Sequence, residues 1–128
     1  MDHRAKTAFL ALIVVQALHS FEEYAFRLYD VFPPARLLSS LVSEDLRRGF
    51  VAINVSLVAF GLWCWLVPIR RGHSSAQGLA WLWVTIELLN GIGHPAWAVS
   101  ERAYVPGVAT APLLLILAVY LARRLFKE

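Results

Sequence analysis

Residues 50–69 read FVAINVSLVAFGLWCWLVPI, a run of twenty residues without one formal charge. A helix of about 20 apolar residues is long enough to cross the hydrocarbon core of a bilayer, which is about 30 Å thick. The composition of the 128-residue chain agrees, because 59% of its residues are hydrophobic and 16% are charged. Ordinary globular proteins are about 45–50% apolar and about 25% charged. We therefore predict an integral membrane protein.

Three further stretches have the length and the apolar character of membrane helices. Residues 103–122 carry no formal charge, and residues 74–100 carry only two ionisable groups, Glu87 and His94. An apolar run also begins at Thr7 and continues to Tyr29. We predict an all-α fold, an integral membrane four-helix up-and-down bundle that forms one domain over residues 1–128. The predicted spans are residues 7–29, 49–69, 76–99 and 104–124.

The connection between the first two spans, residues 30–49, is the longest in the chain. Pro33 and Pro34 can begin a short helix, and leucines and valines recur after them at near-helical spacing. We predict that this helix lies in the membrane interface. Basic residues divide seven to five between the two sides of the bundle, which favours an inner-membrane protein with both termini in the cytoplasm. Their position at the span edges, not on one patch, excludes nucleic acid as a partner.

Polar side chains inside the predicted spans lie on two helix faces. They are His19, Glu22 and Glu23 at i, i+3 and i+4 on the first span, and Glu87, Asn90 and His94 at i, i+3 and i+7 on the third. With a rise of about 1.5 Å per residue, the two faces reach the same level in the outer half of the bilayer. Because an ionisable side chain at membrane depth is costly, it indicates a functional site.

The residue types in this layer are those that bind zinc or iron. We predict a divalent metal as the cofactor, with His19, Glu23, Glu87 and His94 as its ligands. Glu22 would act as a general acid or base, although the spacing does not decide which glutamate of the pair binds the metal. Simpler explanations exist for single residues, since Glu23 can pair with a basic residue four positions later and His94 can lie at the interface.

Three short motifs occur in order along the chain: HSFEE at residues 19–23, NGIGH at residues 90–94 and YVPG at residues 104–107. As H-x-x-E-E, N-x-x-x-H and Y-x-P-G, this ordered set resembles the HXXEE domain family, bacterial membrane proteins of unknown function. The resemblance implies that the polar residues of these motifs are signature positions, together with Tyr104, Pro106 and Gly107. It implies no reaction, and Glu87 is not among its positions. We expect Asn90 and Tyr104 to orient the substrate.

The function that these features favour is a metal-dependent membrane enzyme, of hydrolase or isomerase type. Its partner would be a membrane lipid or another hydrophobic small molecule, and a homodimer is left open. A small proton-coupled transporter is the first alternative, because intramembrane carboxylates can relay protons. A protein that binds a hydrophobic ligand through the same polar cluster without metal is the second.

Overall fold

The computed structural model describes all 128 residues, which form six helices and no strand. The helices are α1 (His3–Ala25), α2 (Leu28–Val31), α3 (Pro33–Val42), α4 (Leu46–Cys64), α5 (Ala76–Glu101) and α6 (Ala111–Leu125). A π-helical turn, Trp65–Ile69, continues α4. The prediction of an all-α fold is confirmed.

The ends of α1 follow from local sequence. Asp2 precedes the helix, and its side chain accepts a hydrogen bond from the backbone N–H of Ala5, as an N-cap aspartate does. The helix ends at Ala25 because Arg27 adopts the left-handed conformation, with φ at 59°. The predicted first span extends to residue 29, so the helix ends four residues earlier than predicted.

The long connection contains the predicted short helix. Pro33 and Pro34 occupy the first turn of α3, where proline is tolerated because the first N–H groups of a helix have no intrahelical partner. Asp45 then caps α4, accepting from the backbone N–H groups of Arg47 and Arg48. The chain therefore makes a helical hairpin of α3 and α4, whose second helix is most of the longest apolar segment.

The segment Leu46–Ile69 is the one helix that is both long and apolar enough to cross a membrane, and its most apolar 18-residue window has a mean hydropathy of 2.1. Within this segment, Pro68 has no backbone N–H to donate, and it lies in the π-helical turn Trp65–Ile69, whose wider geometry accommodates the proline. The four-span membrane bundle of the sequence prediction is not confirmed by this criterion.

The largest departure from the predicted elements lies between α5 and α6. The predicted fourth span starts at residue 104, whereas residues 102–110 form turns and α6 starts at Ala111. Apolar composition predicts exposure to lipid and not helicity, and Gly107 has a φ of 95° that a helix does not allow. With 15 residues, α6 is about 22 Å long, shorter than the hydrocarbon core of about 30 Å.

The four long helices enclose two layers of buried side chains, one apolar and one polar. α6 lies against both α1 and α5, and α4 lies against α1. Near the chain termini the layer is apolar, with Phe9 and Trp83 edge to face at 6.3 Å between ring centroids and Leu114 and Leu121 fully buried. Cys64, the single cysteine, is buried in this layer as a free thiol. The other layer holds the buried polar residues.

Gly91 sets the approach of α5 to α6 beside the polar layer. A Cβ at this position would lie 2.7 Å from Cβ of Leu115 and 2.9 Å from its backbone N. We therefore expect Gly91→Ala to lower the free energy of unfolding by about 1–3 kcal/mol, as overpacking does. Gly93→Ala, two residues along the same helix, meets no atom within 4 Å and is expected to raise it by about 0.5–1 kcal/mol.

Thermal unfolding of the two purified variants measures the difference. A loss for Gly93→Ala equal to that for Gly91→Ala would mean that close helix packing is not the reason that glycine occupies position 91.

Candidate functional site

Three buried side chains from two helices converge on one point. Nε2 of His19 and Nε2 of His94 lie 2.9 Å and 3.1 Å from the same oxygen, Oε1 of Glu23. The rings of the two histidines are edge to face, 4.7 Å between centroids. One ligand atom from each of the three residues lies within 4.8 Å of the others, so the group could hold a metal ion.

The second nitrogen of His19 is held by a threonine. Nδ1 of His19 lies 2.7 Å from Oγ1 of Thr110, and this hydroxyl donates to Oε1 of Glu22 at 2.7 Å. A hydroxyl has one hydrogen, so Thr110 can only accept from His19. We assign the proton of the neutral His19 ring to Nδ1, which leaves a lone pair on Nε2 facing the carboxylate of Glu23.

Two nitrogen atoms of this group lack hydrogen-bond partners. Nε2 of His19 and Nδ1 of His94 are two of the four buried side-chain polar atoms in the protein that make no hydrogen bond. Buried polar atoms are nearly always paired, so the unpaired Nε2 of His19, which faces Glu23, indicates a place for a ligand. Nδ1 of His94 is the nitrogen of that ring that does not contact Glu23.

Glu22 points away from this group and holds the turn between α5 and α6. Its carboxylate accepts from the hydroxyl of Tyr104 and from the backbone N–H groups of Gly107, Ala109 and Thr110 at 3.0, 3.1 and 2.9 Å. The hydroxyl of Thr110 is a fifth donor. The two oxygens of a carboxylate offer about four lone-pair sites, so the acceptor capacity of Glu22 is used completely.

The surroundings of Glu22 therefore do not support the predicted role of general acid or base. A base must accept a proton from the substrate, and the lone pairs of this carboxylate already accept from the protein. Tyr104 is affected in the same way, since its hydroxyl donates to Glu22 and its half-exposed ring packs on Phe26 at 5.1 Å. Both residues shape the turn that covers the histidines.

Gly107 is the point where that turn meets the histidines. A Cβ built on it would lie 2.6 Å from Cε1 of His94 and 2.7 Å from Cε1 of His19. Its φ of 95° also belongs to the region that favours glycine. The glycine of the Y-x-P-G motif is thus required by both conformation and space.

Glu87, a predicted metal ligand, does not join the three-residue group. It lies seven residues before His94, roughly 10 Å along the helix axis. Its carboxylate is fully buried and accepts from the amide of Asn90 at 3.1 Å. With its amide nitrogen turned toward Glu87, Gln16 donates to both oxygens at 3.0 and 2.9 Å. Asn90, predicted to orient substrate, contacts Glu87 instead.

Sequence reasoning did not select Ser20, which links the polar layer to α4. The hydroxyl of Ser20 lies 2.9 Å from the side chain of Gln16 and donates to Oδ1 of Asn54 at 2.8 Å. The available signal was the i, i+4 spacing of Gln16 and Ser20 on the same face of α1. Thr110 had a weaker signal: on the predicted fourth span it lies at about the same depth as the polar faces of the first and third spans.

Comparison with known proteins gives one match. The model of a family described as "Protein of unknown function with HXXEE motif" matches residues 10–121, most of the chain. The motif that names the family is His19 to Glu23 in this sequence. No curated protein and no solved structure matches the chain.

Proposed function

The chain belongs to the HXXEE family, and from the geometry of its site we propose that it is a metal-dependent membrane enzyme. The reaction class is hydrolysis or isomerisation, and the substrate is a lipid or another hydrophobic molecule. The metal ligands are His19, Glu23 and His94. The observation that carries this proposal is the convergence of these three side chains on one buried point.

The donor set fits zinc or iron. Two imidazoles and one carboxylate are the protein ligands of many catalytic zinc sites, which keep a fourth position open. Ligand atoms about 2 Å from a tetrahedral ion lie roughly 3.3 Å from one another, close to the separations of 2.9 and 3.1 Å around Oε1 of Glu23. The lone pair of His19 and the carboxylate of Glu23 face each other as two acceptors, and a cation between them satisfies both.

The neighbouring residues support the same arrangement. Metal-binding histidines usually donate their other N–H to an acceptor that fixes the ring, and Thr110 accepts from His19 in this way. Glu22 holds Thr110, and Gly107 closes the space over both rings. A bound zinc or iron ion supplies a Lewis acid that polarises the reacting bond of the substrate.

A cavity beside the site supports a hydrophobic substrate. It has a volume of about 590 Å³ and is lined mostly by apolar residues, among them Phe26, Phe32, Trp97 and Tyr104. The ring of Trp97 lies 6.4 Å from that of His94, centroid to centroid. The apolar body of a substrate can therefore occupy this cavity, where the side chain of Trp97 lies between it and His94.

The outer surface supports a location in the membrane. Large apolar side chains on α1, α4, α5 and α6 are exposed, and 17% of the most apolar window of Leu46–Ile69 is buried. Exposed apolar surface of this extent requires lipid or a protein partner. We propose that residues 1–128 form one domain of four spans, residues 7–29, 49–69, 76–99 and 104–124, in the inner membrane, with α3 at the interface and both termini cytoplasmic.

Metal analysis of the purified protein tests the proposal. We expect about one equivalent of zinc or iron per chain, the occupancy of a three-ligand site. His19→Ala and His94→Ala should each lower metal affinity more than about 100-fold, beyond the roughly 10–100-fold that a change in the surrounding residues causes, so the purified variants should carry little metal. Glu87→Gln is the matched control, because Glu87 is equally buried but lies outside the group, and it should retain the metal.

Two results would contradict the metal proposal. Wild-type protein that is folded but binds neither zinc nor iron when titrated would remove it. Equal loss of metal in Glu87→Gln and His94→Ala would mean that the content reports stability and not coordination.

A second candidate, a proton-coupled carrier, is favoured by one observation. Polar side chains lie within hydrogen-bonding distance of one another from Glu87 through Gln16 and Ser20 to Asn54, from the buried layer to α4. Glu87, at the buried end of this run, is the group in it that can take up and release a proton. Uptake into proteoliposomes that depends on a pH gradient and is lost in Ser20→Ala would favour this candidate over the enzyme.

A further inference from the structure

An apolar groove runs along the outside of α1 and α4, away from the histidines. It has a volume of about 540 Å³, and nine of its eleven lining residues are hydrophobic. The part of α4 that lines it extends from Phe50 to Leu62, roughly 18 Å along the helix. This length is similar to half of a hydrocarbon core, about 15 Å. We call this feature the α1–α4 groove.

Two arginines stand at one end of the α1–α4 groove. Val51 and Val55 line the groove and also line a neighbouring cavity of about 610 Å³ together with Arg47 and Arg48. The apolar surface is therefore continuous with a basic one. Asp45 is the acidic residue at this end, so the two arginines leave a net positive charge.

Tyr24 fixes Arg47 over the mouth of the α1–α4 groove. The tyrosine hydroxyl accepts from Nε and Nη2 of Arg47, and the guanidinium lies 5.2 Å from the ring centroid. A guanidinium has five N–H donors, so three remain for an anion. Arg48 is exposed, and its Nε lies 3.6 Å from Oδ2 of Asp45, a separation too long for a strong hydrogen bond.

We propose that the α1–α4 groove binds an anionic phospholipid. One acyl chain lies along α4 from Val51 toward Leu62, and the phosphate is bound by Arg47 and Arg48. This inference rests on the membrane location proposed above and is independent of the metal. It adds a lipid site on the face of α1 that does not carry His19.

Charge and shape together select this ligand. Positive charge occurs at one end of the α1–α4 groove, while its length carries no charged residue and only two polar ones, Ser20 and Asn54. An amphipathic molecule with a single anionic end matches this distribution. Arginine binds phosphate through two parallel N–H groups. In a zwitterionic choline head group the ammonium cation offsets the phosphate charge, so the attraction to the two arginines is weaker.

Native mass spectrometry of the full chain in detergent tests the proposal. The protein is mixed with equimolar phosphatidylglycerol and phosphatidylcholine that have identical acyl chains. We expect preferential retention of phosphatidylglycerol, with a preference that falls roughly fivefold for each arginine removed, as surface charges near lipid do. The variants are Arg47→Gln combined with Arg48→Gln, and Val55→Trp, which fills the groove and should lower retention of both lipids.

The matched control is Arg70→Gln combined with Arg71→Gln. This pair has the same charge and lies beyond the other end of the apolar segment, next to a separate cavity. It should leave the preference unchanged. Equal losses in the two double variants, or unchanged retention in Val55→Trp, would overturn the site, and so would a protein dimer without bound lipid, which would assign the groove to a second copy.

Failure of the membrane proposal gives a different result. Wild-type protein recovered in the soluble fraction of disrupted cells, without detergent, would remove the membrane location itself. Loss of head-group preference in a protein that fractionates with membranes would remove the lipid site alone.

Discussion

Gly107→Ala is expected to abolish metal binding and to lower the free energy of unfolding by about 3–5 kcal/mol, the range of severe core changes. The new methyl group would lie 2.6–2.7 Å from atoms of both His94 and His19. It must move at least one ring, and either movement takes a nitrogen away from Glu23. The backbone adds strain, because φ at position 107 is 95°.

Gly72→Ala separates the two contributions of Gly107→Ala. Gly72 also has a positive φ, 70°, but a Cβ there meets no atom within 4 Å. Its alanine variant should cost only the conformational strain, about 1–2 kcal/mol, and should keep full metal content. Thermal unfolding and metal analysis of both purified variants make the comparison, and intact metal content in Gly107→Ala would contradict the described geometry.

Glu22→Gln is expected to produce the second largest loss, about 2–4 kcal/mol of unfolding free energy. The substitution keeps the shape of the side chain but replaces one acceptor oxygen by an NH₂ group. That group would face donors among Tyr104, Gly107, Ala109 and Thr110, so at least one buried N–H loses its acceptor. The charge that strengthens the remaining hydrogen bonds is lost as well.

Thr110→Val tests whether Glu22 acts on the metal through His19. Valine has the shape of threonine but cannot accept from Nδ1 of His19, so the ring is free to change its tautomer. We expect metal affinity to fall 10–100-fold, as it does when a residue supporting a ligand is removed. Thr110→Ser keeps the hydroxyl and should keep the affinity.

Metal titration of Thr110→Val and Thr110→Ser, beside their unfolding midpoints, distinguishes a positioning role from a structural one. Equal metal affinity in the two variants would show that the hydroxyl does not position His19. Loss of stability alone, with affinity preserved, would limit Glu22 and Thr110 to holding the turn.

The sequence predicted which helix faces meet but not what each carboxylate contacts. Helical spacing places His19, Glu22 and Glu23 on one side of α1, and two of these residues meet His94. Spacing cannot separate Glu22 from Glu23, since positions i+3 and i+4 both neighbour His19 on the helix surface. The partners of Glu22 are mostly backbone N–H groups, and every residue except proline has one.

The residues that depart from prediction share a physical reason. Glu87 was grouped with His94 because both lie on one face, yet distance along the axis and the contact with Asn90 keep it apart. Residues 104–110 of the turn before α6 were assigned to a helix because they are apolar. Hydropathy measures transfer from water, whereas the path of the backbone there depends on a carboxylate more than eighty positions earlier.

The bonds from Glu22 to the turn before α6 also determine the order in which the protein can be completed. Its donors follow it by 82 to 88 residues, so during synthesis α1, α4 and α5 exist before the carboxylate has any of them. Until Tyr104 is made, none of the donors that surround Glu22 in the finished protein is present. The turn that covers the histidines can therefore form only after α1, α4 and α5 have been made.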